Sequence, residues 1–172
     1  MMLKNLFLFI ASASVFTIVN SQALENGYYL IKSVQGAKLA CNFAGTQSPT
    51  TITFTDFSKI DAKNFIWQVS KGLGDSGYTL TNLGSGNKAA AAAQEVGAHV
   101  DGFSNIATQF AIEFSGNGTF AIKSPNQNLF WAVFQQDEPN IFMPFLEPAS
   151  GGDEEKFLFI AANFSLQQAS NI

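Results

Sequence analysis

The side chains able to do chemistry are few, and their isolation limits what they can do. The 172-residue chain has one histidine, His99, and one cysteine, Cys41. A nucleophile needs an adjacent base, and the base needs a group to orient it. No spacing here ties His99 to a particular serine or aspartate. His99 sits in an apolar-flanked stretch, as a structural histidine would. Cys41 alternates in phase with Leu39 and Phe43, which suits an inert buried thiol, and a lone cysteine forms no internal disulfide. One histidine and one thiol among scattered carboxylates fall short of a metal shell. The acidic run Asp153-Glu154-Glu155, beside Gly151-Gly152, reads as a solvated turn. Neither catalysis, nor a metal, nor a cofactor is expected, and the chain reads as a binding protein.

One segment carries binding chemistry directly. Trp131 lies between Phe130 and Ala132 at a phase expected to point outward, with Asn126, Gln127 and Asn128 before it and Gln135 and Gln136 after. An exposed indole ringed by amides, which both donate and accept, makes a carbohydrate platform. The competing reading is that Trp131 covers one end of a core and the amides are solvated loop residues. The candidate ligand-binding residues are thus Trp131, Asn126, Asn128 and Gln135.

The elements that must position these residues follow from a repeat. Gly27-Tyr28-Tyr29-Leu30-Ile31-Lys32-Ser33 is echoed by Gly77-Tyr78-Thr79-Leu80-Thr81-Asn82 and by Gly118-Thr119-Phe120-Ala121-Ile122-Lys123-Ser124. The intervals are about 40 to 50 residues, the range in which self-similarity sets architecture. Twelve positions after each glycine comes a second apolar stretch: Leu39-Ala40-Cys41, Ala89-Ala90-Ala91 and Phe130-Trp131-Ala132. A third stretch follows at residues 51–54, 98–103 and 140–145, and each unit closes on an alternating strand at residues 65–69, 110–114 and 157–161. Alternation is what a half-buried strand requires. Gly- and Asn-rich breaks such as Gly84-Ser85-Gly86-Asn87 and Gly116-Asn117-Gly118 punctuate them. The expectation is an all-β chain of twelve strands in three four-strand units, at residues 26–70, 76–115 and 117–161. The alanine run after Lys88 favours a helical turn on propensity, but its counterparts make it a strand.

At the N-terminus a lone Lys4 precedes an apolar run beginning Leu6-Phe7-Leu8-Phe9-Ile10, and Ser21-Gln22-Ala23 closes it with a cleavage-like signature. Residues 1–23 therefore read as a secretory signal peptide, too short in their apolar run for a membrane span. Residues 24–162 read as a single extracellular domain and 163–172 as a C-terminal tail. Eighteen phenylalanines supply its core in place of disulfides. The net charge of −4 argues against a nucleic acid or anionic membrane partner. Export makes two sequons relevant, Asn117-Gly118-Thr119 and Asn163-Phe164-Ser165.

With three such units, each opening Gly-aromatic and closing on an aromatic strand such as Phe65-Ile66-Trp67-Gln68-Val69, the chain resembles the β-trefoil of ricin-B-like lectins, especially secreted fungal ones. That resemblance implies carbohydrate binding without catalysis. The chain departs from the family in two respects. The Gln-x-Trp that ends each family unit is replaced by Phe65-x-Trp67, Phe110-x-Ile112 and Phe157-x-Phe159, and the positions of the sugar-gripping aspartate read Ala40, Ala90 and Trp131. Glu25-Asn26-Gly27-Tyr28 and Ile66-Trp67-Gln68-Val69 are also similar to segments of the mycocypins, mushroom inhibitors of cysteine proteases with the same fold. The alternative partner is therefore an extracellular protease. By resemblance to Kunitz-type trefoils its contact would be the loop at residues 70–76, with Lys71 and Gly72. By resemblance to mycocypins it would be residues 33–36 and 55–62.

Overall fold

A computed structural model describes residues 23–43, 48–57, 62–72, 77–125, 127–137 and 140–162. Among these the chain is all-β, with twelve strands: β1 (Gly27–Ser33), β2 (Leu39–Asn42), β3 (Thr50–Thr55), β4 (Ile66–Lys71), β5 (Tyr78–Asn82), β6 (Lys88–Ala91), β7 (Val100–Phe103), β8 (Ala111–Gly116), β9 (Thr119–Lys123), β10 (Leu129–Gln135), β11 (Phe142–Pro148) and β12 (Phe157–Ala161). The alanine run forms β6, so tertiary pairing with β7 outweighs its helical propensity. The signal peptide and the tail expected from the sequence lie outside the described residues.

Six strands close on one another. β1 pairs with β4 on one edge and β12 on the other, β4 with β5, β12 with β9, and β9 with β8. The ring is completed where Tyr78 and Phe110 exchange backbone hydrogen bonds of 2.7 and 2.9 Å. The remaining strands form three hairpins, β2–β3, β6–β7 and β10–β11. They meet one another through Thr51↔Asp101, Phe142↔Phe54 and the bridge His99↔Phe145.

The same crossing from ring to hairpin occurs three times, as Lys32↔Leu39, Thr81↔Lys88 and Lys123↔Phe130. Just beyond each crossing the small polar residue that ends the repeat is buried: Ser33, Asn82 and Ser124. Its backbone N–H closes the turn onto the carbonyl of Lys38, Asn87 or Leu129 at 2.9, 2.8 and 2.8 Å. The crossing also corrects the sequence register. Ala89, rather than Ala90, is the counterpart of Ala40 and Trp131.

The main core gathers Ile31, Ile52, Phe54, Trp67, Leu80, Phe110, Ile122, Trp131, Leu146 and Phe157. A second cluster of Leu24, Tyr29, Val69, Tyr78, Ile112 and Phe120 fills the other end of the ring. The start of the described chain is held there, because the hydroxyls of Tyr78 and Tyr29 donate to the carbonyls of Leu24 and Glu25, each at 2.9 Å.

Candidate functional site

The outward phase expected for Trp131 is not found. Trp131 is 1% exposed, packed edge-on against Phe110 and Phe157 with ring centroids 5.2 and 6.2 Å away. The strand partner decides this. Phe130 is the residue opposite Lys123, and it faces outward beneath the Lys123 ammonium, 5.5 Å from the ring centre. The next side chain on a strand must therefore point in. Trp131 cannot stack on a sugar in this conformation. Of its expected companions, Asn126 lies outside the described residues, and Asn128 and Gln135 are exposed. These two flank β10 end to end, about 23 Å apart at about 3.3 Å per residue. The four residues do not converge.

What converges is a groove on the outer face of the hairpins. The β10–β11 loop, closed by the bond from Gln136 N–H to the Ile141 carbonyl at 2.9 Å, contributes Gln136, Asp137 and Ile141, and β11 contributes Met143. Strand β3 contributes Thr51 and Thr53, because alternation sends Ile52 and Phe54 into the core. The pairing of Phe142 with Phe54 sets the two walls side by side. The groove has a volume of about 390 Å³. Two hydroxyls, an amide and a carboxylate surround an apolar floor of Ile141 and Met143, and Gln135 stands exposed beside them. Such a lining can hydrogen-bond hydroxyls while its floor receives a C–H face.

Beyond Thr51 the same face continues to Asp101, its cross-strand partner. Burial pushes the Asp101 carboxyl above the usual range, partly offset by nearby His99. His99, read from its flanks as a structural histidine rather than a base, packs against an aromatic ring. It is exposed, with its ring 4.4 Å from that of Phe145.

The other sites expected from the sequence are dispersed. Lys71 is exposed, its N–H donating to Asn26 Oδ1 at 2.6 Å, while Gly72 N–H bonds the Gly77 carbonyl at 2.7 Å; residues 73–76 lie outside the described chain. Asn117 is exposed at the β8–β9 turn with φ 51, and Asn163 lies outside the described residues. Cys41 is buried on the hairpin side of β2, beside Thr53 Oγ1 at 3.1 Å, and burial raises its thiol pKa. Glu155 is buried rather than solvated. Its carboxylate accepts the N–H groups of Ser150 and Gly151 at 2.6 and 3.0 Å. Among the described residues no three metal-ligating side chains gather as a metal site would require.

No family model and no curated sequence matches the chain. Solved structures do match. The Rhizoctonia solani agglutinin superposes with a TM-score of 0.71 at 19% identity, covering 82% of this chain and 99% of its own. The ricin B-like lectin of Macrolepiota procera, solved with lactose, gives 0.66 at 16% identity over 83% and 100%. A proteinase inhibitor from Coprinopsis cinerea gives 0.62 at 19% identity over 81% and 100%. The fold is a β-trefoil. Lectins and an inhibitor share it at these identities, so what this trefoil binds has to be argued from its own surface.

Proposed function

We propose that this β-trefoil is an exported, non-catalytic glycan-binding protein, built of three diverged four-strand units. The three equivalent crossings at Lys32, Thr81 and Lys123 support the unit reading. Leu24, which becomes the first residue if a signal peptide is cleaved after Ala23, is buried, and this fits a mature chain starting there.

The observation that carries the function is the groove between the first and third hairpins. Thr51, Thr53, Gln136 and Asp137 present hydroxyl, amide and carboxylate groups around Ile141 and Met143. A carboxylate accepts from neighbouring sugar hydroxyls, the threonines and the amide do both, and the floor takes the apolar face. The site keeps the third unit expected from the sequence but replaces Trp131 with the loop that follows β10.

A glycan array of residues 24–172, run beside an Asp137→Ala, Gln136→Ala double variant, tests this. Binding that falls at least tenfold in the variant, about 1.4 kcal/mol, is the expected result. Binding that persists unchanged in the double variant would remove the groove from the reading.

Protease inhibition is the second reading, and one observation favours it. Asp56, in the 55–62 segment that the mycocypin resemblance points to, is held by Lys38 Nζ at 2.6 Å, two residues beyond the 33–36 segment, which keeps the two segments close. A blank array together with stoichiometric inhibition of papain would transfer the function there, and Lys71→Ala would then separate a trypsin-directed loop from these two.

A further inference from the structure

A second depression, of about 300 Å³, lies on the outer wall of the ring where β1, β2 and β12 meet the end of β3. Thr53 lines the glycan groove and Thr55, two residues on, lines this one, so the two are neighbours but separate. Its floor is aliphatic and aromatic: Leu30, Leu39, Ile160 and Phe57. Leu30 lies directly across from Ile160 in the β1–β12 register. Phe57 and Ile160 are 49% and 44% exposed, two of the large apolar side chains the surface leaves uncovered.

One cation stands in this apolar setting. Lys32 is half-buried and lines the depression, with Leu39 opposite it on β2 and Leu158 opposite it on β12. It forms no ion pair among the described residues, whereas Lys38 is matched by Asp56 at 2.6 Å. Asp56 also lines the depression, but its carboxylate is already met by Lys38, so Lys32 carries the unpaired charge of the lining. An unpaired ammonium beside an apolar wall attracts an anionic group more strongly than one surrounded by open water does.

We propose that this depression binds a small organic monocarboxylate with an aryl or branched alkyl body, the carboxylate on Lys32 Nζ and the body on Leu30, Leu39, Ile160 and Phe57. Its volume sits at the lower end of ligand-site volumes, which limits the ligand to about one ring with a short acid arm. Free organic acids, rather than a protein chain end, fit so small a site. The proposal does not depend on the glycan reading.

The test uses 3-phenylpropanoate and its uncharged amide as probes against residues 24–172 labelled at leucine and isoleucine methyls. Expected are methyl shifts at Leu30, Leu39 and Ile160 with the acid, binding at least tenfold weaker with the amide, and a similar loss in Lys32→Met. Lys32→Met should leave the thermal midpoint and glycan binding as they are, and Asp137→Ala should leave acid binding as it is. Equal binding of acid and amide, unchanged binding by Lys32→Met, or no methyl shift below about 10 mM probe, weaker than any useful affinity, would each overturn the proposal. So would methyl shifts at these residues caused by inactivated papain and unaffected by the acid.

Discussion

Trp131 holds the centre of the fold with an indole N–H that finds no acceptor among the described residues, while the other tryptophan, Trp67, donates to the Ala40 carbonyl at 3.1 Å. A buried unmet donor costs energy, and burial of the ring returns more. Trp131→Ala is therefore expected to lower unfolding free energy by about 3–5 kcal/mol, whereas Trp131→Phe, which removes the unmet N–H, should cost much less; urea titration of both variants checks this. Asn42 is the opposite case, because its amide is fully employed. Its Nδ2 donates to the carbonyls of Thr50 and Thr51, and its Oδ1 accepts from Thr50, Ser85 and Asn87 at 3.1, 2.8 and 3.2 Å. Asn42→Ala should cost about 1–3 kcal/mol by leaving buried partners unmet, measurable in the same titration. The orientation of Trp131 was not legible in the sequence. Phe130 and Trp131 are adjacent and both aromatic, and only the cross-strand partner, Lys123, determines which faces out.

At the level of elements, most strands were legible because alternating apolar residues and Gly or Asn turns mark them in any order of units. The alanine run hid its register, since five identical side chains carry no alternation, and the Lys88 crossing moves it by one residue. The groove was hidden for a different reason. Its walls, Thr51 and Thr53 on one side and Gln136 and Asp137 on the other, belong to different units and meet only because β3 pairs with β11. Hairpin and ring junctions also fix where a side chain is forbidden. Gly77 has φ +91, and a Cβ there would lie 2.7 Å from the Phe110 carbonyl oxygen that completes the ring. Gly77→Ala is expected to destabilise by about 1–3 kcal/mol and to speed hydrogen exchange at the Tyr78 and Phe110 amides ahead of the rest of the ring. Unchanged exchange at those two amides would contradict the role given to this junction.

For the whole molecule, stability should carry the mark of Asp101. Its folded pKa is raised above the ordinary 3.8 by burial, with His99 opposing. The neutral acid thus fits the fold better, so its contribution is full below the ordinary carboxylate range and is lost as pH rises through the raised folded value. Glu154, its pKa lowered by the hydrogen bond from Ser150, acts with the reverse sign at the acid end. Asp101→Asn is expected to raise the urea midpoint relative to the native chain at pH 7 and to lose that advantage near pH 3. The ring itself has an order in time. β1 is made first yet sits between β4 and β12, and the β12 edge has no partner until residues 157–161 exist. At 5–20 residues per second, the wait from Ser33 to Phe157 is on the order of ten seconds. A ribosome-tethered chain halted before Phe157 should therefore be cut readily by protease, and one released past Ala162 should resist, so the nascent protein becomes a folded object only when its final strand arrives.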